Sequence, residues 1–317
     1  MLFVHGWGHQ AAVGDDHLDG FRQVLSSLAK DLDGRQVVGV YLGWRGLSLK
    51  GWLYPFSFPD RETLARRIGS DSSDFTKLMD SLNEEVRTVK RHGTDVVAVS
   101  VGHSLGGKML FESLEAQLEA WTKTGESHIP DELKRFGDLV VLVNPASDAN
   151  DYKQFVTYNK VHAPYPAPIL VAISSETDEV VGTIYHRGQW FVDFFKPKST
   201  DPDETVGLGW KFDQVTHFLC LKEPRSASGV CHDPGLKTDV PQVFETSELR
   251  PRHGETVNGP FIVIRANTDL IPKHSEIFGD DFRKFLVQYV SRRAKGVTRT
   301  NEAETTSSPT AAAVRDR

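Results

Sequence analysis

The sequence has few cysteines, no long apolar run and no excess of positive charge among its 317 residues. The formal net charge of −6 argues against a nucleic-acid-binding protein, because such a protein presents a basic surface. No apolar stretch reaches the roughly 18 residues that a transmembrane helix needs, so no such helix is predicted. Residues 1–6 lack the basic start, apolar stretch and cleavage site of a signal peptide, and we therefore expect a cytoplasmic location.

Only two cysteines are present, Cys220 and Cys231. We expect both to be free thiols in a reducing compartment, and a disulfide across a loop is the first alternative. A metal site that adds His217 and His232 is the second alternative. It is disfavoured because adjacent ligands at positions 231 and 232 would strain a tetrahedral geometry. We expect neither a metal nor a cofactor.

The most informative motif is Gly-His-Ser-Leu-Gly at residues 102–106. A β-branched run at residues 96–101 precedes it, and apolar residues at helical spacing follow it. Strand, tight turn and helix in this order are the context of a nucleophile elbow, in which the serine sits on a strained turn. Ser104 is therefore predicted to be a nucleophile, with a small-residue turn that packs a helix on a sheet as the alternative.

Residues 102–108 also match Gly-x-x-x-x-Gly-Lys, the body of a phosphate-binding loop. Met109 stands where Ser or Thr would hold magnesium, and the apolar run at residues 139–143 is followed by Asn144 rather than Asp. A P-loop nucleotide hydrolase is therefore a disfavoured alternative.

Continuously apolar segments alternate with helical patterns along the chain, which predicts a doubly wound, mostly parallel α/β sheet covered on both faces. The predicted strands are residues 2–4, 37–42, 96–101, 139–143, 169–173 and 261–264. The predicted helices have apolar stripes within residues 21–32, 75–89, 110–121 and 282–290.

Residues 180–259 interrupt this alternation and are too long for a simple connection, so we predict an inserted cap region. Its aromatic cluster at residues 190–195 is expected to pack against the body, with a lipid-facing lid as the alternative. Residues 293–317 lack periodicity and are predicted to form a disordered tail. Residues 1–292 are then one domain that contains the insertion.

The six strands, the elbow and the order of the elements resemble the α/β-hydrolase superfamily over about residues 1–292. The resemblance implies a serine esterase or lipase-like enzyme that acts on a small-molecule or lipid ester without a metal or cofactor. In that family the elbow follows the fifth strand. By this count the first two strands are missing, so the chain is either a minimal version of the fold or truncated at its N-terminus.

The family also places an oxyanion-binding turn after its third strand, and Phe-Val-His-Gly-Trp at residues 3–7 resembles that turn. The resemblance implies that the oxyanion hole is formed by the backbone N–H groups of Trp7 and Leu105. A plain turn at the end of a strand is the alternative.

The family's base follows the last strand, and its acid follows an earlier one. His274 comes after the strand at residues 261–264, and Asp178 comes after the strand at residues 169–173. The chain order Ser104, Asp178, His274 matches the family's order of nucleophile, acid and base. The alternatives are His253 and His217 for the base, and Glu176 and Asp148 for the acid.

Two further polar groups have simpler explanations than a site. Arg45 lies at the predicted active-site edge and is either a receiver of a substrate carboxylate or phosphate or, as we expect, part of a structural ion pair. Asp-Asp-His at residues 15–17 suggests a metal cluster, but an acidic helix start explains it better. A non-catalytic hydrolase-fold binding protein is the main alternative function, since a fold alone does not give activity.

Overall fold

The computed structural model describes residues 1–46, 58–70, 72–124, 137–162, 167–178, 207–226, 241–252 and 259–306. The strands of these residues form one mixed sheet in the spatial order β2-β1-β3-β4-β5-β9-β6-β8-β7. They are β1 (Leu2–Val4), β2 (Val40–Leu42), β3 (Val99–His103), β4 (Leu139–Val143), β5 (Leu170–Ser175), β6 (His217–Leu221), β7 (Gln242–Val243), β8 (Ser247–Pro251) and β9 (Phe261–Ala266). The helices are α1 (Asp16–Asp31), α2 (Phe58–Gly69), α3 (Asp74–Arg91), α4 (Leu105–Thr122), α5 (Ala149–His162) and α6 (Asp280–Thr306).

Strands β2 to β6 in this spatial order are all parallel, and only β8 and β7 run antiparallel to their neighbours. The predicted apolar segments supply β1 to β5 and β9. The expectation of an α/β fold with a mostly parallel sheet is therefore confirmed. Because the strands run the same way, their carboxyl ends meet at one edge, where polar residues that follow different strands lie close together.

Apolar layers cover both faces of the sheet. On one face, Phe111 of α4 and Phe155 of α5 pack with Phe261 of β9 in a buried cluster. On the other face, Phe21 of α1 and Phe285 of α6 belong to a second cluster. Successive side chains of a strand point to opposite faces, so a continuously apolar strand contributes to both clusters.

Part of the predicted insertion is sheet. Residues 217–221 form β6, which pairs in parallel with β9, and β8 and β7 then extend the sheet beyond it. Short strands separated by polar turns carry too little pattern to stand out in a segment rich in Pro, Gly and Asp. Residues 180–206, 227–240 and 253–258, which include the aromatic cluster at residues 190–195, lie outside the described residues.

The tail that was predicted to be disordered is helical over residues 293–306. Helix α6 begins at Asp280 and continues to Thr306, well past residue 293 where the tail was expected to begin. Adding a residue to an existing helix is far more favourable than nucleating a new helix. Residues with weak helical periodicity therefore continue the helix that the well-packed turns before them have formed. Residues 307–317 lie outside the described part of the chain.

Cys220 is buried on β6 and is disulfide-bonded, which favours the disulfide alternative over free thiols. A sulfur in a disulfide is not a thiolate, so it does not serve as a zinc ligand. Cys231 lies outside the described residues. None of the helices in the described ranges is apolar enough over sufficient length to cross a bilayer.

The core between α4, α5 and the sheet yields a direct stability test. Phe155 is 0% exposed, and its ring packs against those of Phe111, Tyr152 and Phe261. Phe155→Ala should lower the free energy of unfolding by about 3–5 kcal/mol, because it removes buried area and leaves a cavity. Phe212→Ala, at a side chain that is 43% exposed, is the control in urea unfolding. Equal losses in the two variants would contradict this assignment of the core.

Candidate active site

Ser104 occupies a strained turn between β3 and α4. Its φ of 54° and ψ of −122° are unusual for a residue with a side chain. The turn is fixed by its backbone, since the Ser104 N–H donates to the Val143 carbonyl at 3.0 Å. The Ser104 carbonyl in turn accepts from Lys108 and Ala146 N–H groups at 3.0 and 3.2 Å. This is the strand–turn–helix geometry predicted from the motif.

The flanking glycines allow the turn to pack closely. A Cβ on Gly102 would lie 2.8 Å from the Gly106 carbonyl oxygen. A Cβ on Gly106 would lie 2.4 Å from the Val4 carbonyl oxygen and 2.5 Å from that of His5. These distances are too short for real side chains, so both positions require glycine, and the start of α4 rests directly on the end of β1.

The structure brings Ser104, His274 and Asp178 together, although 170 positions along the chain separate Ser104 from His274. The distance between His274 Nε2 and Ser104 Oγ is 2.8 Å, and that between His274 Nδ1 and Asp178 Oδ2 is 2.7 Å. A carboxylate only accepts hydrogen bonds, so Nδ1 donates to Asp178. Nε2 is then free of a proton and accepts from the Ser104 hydroxyl.

All three side chains are shielded from water. The Ser104 residue is 3% exposed, and the His274 and Asp178 side chains are 11% and 1% exposed. Shielding strengthens the electrostatic interaction between an imidazolium and a carboxylate. The arrangement is therefore suited to removing a proton from Ser104 and stabilising the charged histidine that results.

The described alternatives, Glu176, Asp148 and His217, bond to residues outside the group of Ser104, His274 and Asp178. Glu176 accepts hydrogen bonds from Thr268, and Asp148 accepts from the Asn150 N–H at 2.8 Å. His217 is buried on β6, where its Nδ1 lies 2.9 Å from Thr216 Oγ1. His253 is outside the described residues.

The turn after β1 lies against the nucleophile, as the predicted oxyanion hole requires. A Cβ on Gly6 would lie 2.9 Å from the Ser104 Cβ, so no side chain separates this turn from the serine. Trp7 is the next residue of the turn, and Leu105 is the first residue of α4. The first N–H groups of a helix have no carbonyl partner within that helix, which leaves the Leu105 N–H suited to an anionic oxygen.

His5 ties this turn to the end of β2. The Trp44 N–H donates to His5 Nε2 at 3.1 Å, which makes Nδ1 the protonated nitrogen that donates to the Gly6 carbonyl at 2.9 Å. The Trp44 indole N–H donates to the His5 carbonyl at 2.7 Å. Burial is the main cause that lowers the pKa of His5, and this favours the neutral imidazole that the bridge requires. Arg45, considered above as an anion receiver, is exposed nearby.

The geometry does not suit the phosphate-loop alternative. Lys108 is 0% exposed, and its ammonium group lies 3.4 Å from Glu112 and 3.8 Å from Glu62. A P-loop lysine must reach the phosphates of a nucleotide, whereas this one is directed at two carboxylates inside the protein.

The acidic segment at residues 15–17 begins a helix. Asp15 caps α1 by accepting from the His17 N–H at 3.0 Å, and its carboxylate also lies 3.2 Å from His9 Nδ1. The part of the chain that the structure describes contains no group of three side chains able to hold a metal ion.

A row of three imidazoles leads away from His274, and the first two of them, His103 and His17, are buried. Ring centroids are 4.9 Å apart for His274 and His103, 4.7 Å for His103 and His17, and 3.4 Å for His17 and His9. Burial is the largest cause that lowers the pKa of His17, to about 3, and the pKa of His103 well below its usual value. These two rings are therefore neutral near neutral pH.

Two residues that contact the His274 backbone are not among those predicted from the sequence to form the site. They are His103, the last residue of β3, and Asn144, which follows β4. The sequence offers one indication, and it concerns Asn144. Asparagine tolerates a left-handed backbone conformation, and Asn144 stands directly after a central strand.

Gly106→Ala should disturb the elbow and the turn after β1 together. The new methyl group would collide with two backbone carbonyls that have no room to move, so we expect a loss of about 1–3 kcal/mol in unfolding free energy. Gly296→Ala is the control, because an added Cβ there meets nothing within 4 Å and helix α6 favours alanine. A Gly106→Ala protein as stable as wild type would contradict the close approach.

The buried neutral histidines predict acid sensitivity. With a folded pKa of about 3 against an ordinary value of 6.5, His17 takes up a proton mainly in the unfolded chain. Its contribution to stability is therefore complete above pH 6.5 and is lost as the pH falls from 6.5 towards 3. His17→Phe should reduce the slope of unfolding free energy against pH by up to about 1.4 kcal/mol per unit. Urea unfolding between about pH 7 and about pH 4 measures this slope, and an unchanged slope would contradict the assignment.

No protein-family model matches this sequence, and no curated protein matches it. The case for a function therefore rests on the chemistry that these side chains can perform in this arrangement.

Proposed function

We propose that this chain is a serine hydrolase of the α/β-hydrolase superfamily that cleaves carboxylic esters, lipid esters included, through an acyl-enzyme on Ser104. The observation that carries the proposal is the pair of hydrogen bonds that link Ser104 Oγ to His274 at 2.8 Å and His274 to Asp178 at 2.7 Å. A nucleophile, a base and an orienting acid in direct contact are the parts that acyl transfer to serine requires.

In the first half-reaction, Ser104 Oγ attacks the ester carbonyl carbon while its proton passes to His274 Nε2. The tetrahedral intermediate collapses when the bond to the leaving oxygen breaks and Nε2 returns the proton to the departing alcohol. Water then loses a proton to Nε2 and attacks the acyl-serine. In the second intermediate the bond between the acyl carbon and Ser104 Oγ breaks, and Nε2 returns the proton to Oγ, which releases the carboxylic acid and restores the Ser104 hydroxyl.

Two backbone N–H groups and one carboxylate stabilise the charges that develop. The negative oxygen of each intermediate accepts hydrogen bonds from the N–H of Trp7, in the turn after β1, and from the N–H of Leu105, at the start of α4. Losing one such donor typically slows turnover by about 100- to 1,000-fold. The positive imidazolium is stabilised by Asp178, whose carboxylate is buried beside Nδ1.

A serine hydrolase is favoured over a non-catalytic binding protein by the strain at Ser104. A backbone in a sparsely populated region costs about 1–3 kcal/mol and persists where the surrounding structure enforces it. The strained backbone of Ser104 directs the serine hydroxyl towards His274. A binding function does not explain why this conformational free energy is spent.

A fluorophosphonate probe tests the proposal because it reacts with activated serines. Wild-type protein should be labelled, and Ser104→Ala and His274→Ala should abolish the labelling. Asp178→Asn should slow it by about 1,000- to 10,000-fold, because the histidine loses its orienting charge. Turnover of p-nitrophenyl esters with acyl chains of increasing length measures the same site with substrates.

Matched controls are available on α3 and at its end. Ser81 is exposed and donates to its own helix at Lys77, and His92 is exposed and bonds to the Thr88 carbonyl. Ser81→Ala and His92→Ala should label at the wild-type rate. A folded wild-type protein that neither reacts with the probe nor cleaves any ester would contradict the proposal and favour a binding protein.

A further inference from the structure

The backbone carbonyl of His274 accepts two side-chain hydrogen bonds from the ends of neighbouring strands. His103 Nε2 lies 2.9 Å from this oxygen, and Asn144 Nδ2 lies 3.0 Å from it. His103 is 1% exposed and Asn144 is 0% exposed, so water does not compete with either bond. The residue that carries the base is therefore held directly by β3 and by the residue that follows β4.

The position of the proton on His103 follows from its partners. A carbonyl oxygen only accepts, so His103 Nε2 carries the hydrogen and donates. Nδ1 is buried without a hydrogen-bond partner, and its ring edge faces Gly6, where a Cβ would lie 2.6 Å from Nδ1. Burial, and then the nearby His17 and His274, lower the pKa of His103 well below its usual value. A neutral donor is thus placed beside the base without adding a charge.

The orientation of the Asn144 amide is equally determined. Its Oδ1 accepts from the Ser175 N–H at 2.8 Å, so the opposite end, Nδ2, faces the His274 carbonyl. The Asn144 N–H donates to the Ile173 carbonyl at 2.7 Å, and its φ is 44°. Asparagine tolerates this left-handed backbone better than most residues with side chains.

The same loop is held at two more carbonyls. The Ser175 hydroxyl donates to the Ile271 carbonyl at 2.6 Å, and the Thr177 hydroxyl donates to that of Pro272 at 3.2 Å. His274 itself lies between β9 and α6, outside any helix or strand. These side-chain bonds therefore anchor a loop that has no regular hydrogen-bond ladder of its own.

We propose that His103 and Asn144 are positioning residues, which together clamp the His274 carbonyl so that Nε2 stays within hydrogen-bond reach of Ser104. This inference rests on the proposed function, because it assigns the clamp to the base of the acyl-transfer reaction. The clamp also links the turn after β1 to the base, since His103 contacts Gly6 of that turn on one side and the His274 carbonyl on the other.

Labelling kinetics test the clamp. His103→Leu removes the donor, and Asn144→Asp keeps the acceptor for Ser175 while it places an oxygen against the carbonyl. Each should slow fluorophosphonate labelling of Ser104 and ester kcat by about 10- to 100-fold with little change in KM, because a small displacement of a catalytic group is costly. His103→Gln, which retains an N–H donor, should recover most of the rate. His92→Leu is the control.

The double variant gives a second check. Because both side chains act on one oxygen, the combined loss in His103→Leu/Asn144→Asp should be smaller than the product of the single losses. A merely structural role for these residues predicts instead that the rate follows thermal stability and that Gln does not rescue it.

An activity-independent readout separates this inference from the proposed function. The proton between His274 Nδ1 and Asp178 should give a downfield NMR resonance in wild type, and His103→Leu should broaden or shift it through exchange with water. A folded wild type that shows this dependence on His103 but no labelling would overturn the proposed function and leave the clamp supported. Labelling that depends on Ser104, with rate and resonance both unchanged in folded His103→Leu and Asn144→Asp, would overturn the clamp alone. Absence of the resonance in wild type would also count against it.

Discussion

The site depends on one close approach, in which the first turn of α4 packs against the carbonyl end of β1 with no side chain between them. Gly106 permits this contact, and it fixes how far the elbow lies from the turn that carries Gly6 and Trp7. The strained backbone of Ser104 is held between that contact and the hydrogen bond to the Val143 carbonyl. Strain of this kind persists only where the surrounding structure leaves no alternative.

Because the strands are parallel, the other parts of the site lie at the same edge of the sheet as this close approach. Five parts of the site leave the sheet at its carboxyl edge. They are the turn after β1, the elbow after β3, Asn144 after β4, Asp178 after β5 and the loop after β9. Each strand is buried on both faces and is therefore a rigid support. Side chains that are far apart in the sequence are in this way held within hydrogen-bond distance, as the positioning of a catalytic group requires.

Much of this arrangement was predictable from local pattern. The continuously apolar strands and the glycine spacing around Ser104 are properties of neighbouring residues. His274 and Asp178 were indicated by the resemblance to the α/β-hydrolase superfamily, which places its base and acid after particular strands. Strands β6 to β8 were missed because they are short and lie among turn-forming residues. Helix α5 was missed because apolar residues occur on most of its sides, so it lacks a stripe. The contacts of His103 and Asn144 with His274 span 171 and 130 positions, and only the folded backbone brings those groups together.

Detection of the covalent intermediate tests the role of Ser104 most directly. Wild-type protein would be mixed with an activated ester, quenched with acid within its first turnovers, digested and examined by mass spectrometry. An acyl-enzyme mechanism predicts an added acyl mass on the peptide that contains Ser104, formed in an initial burst and lost as turnover ends. Ester hydrolysis with no acyl group on Ser104, or with the acyl group on another residue, would contradict it.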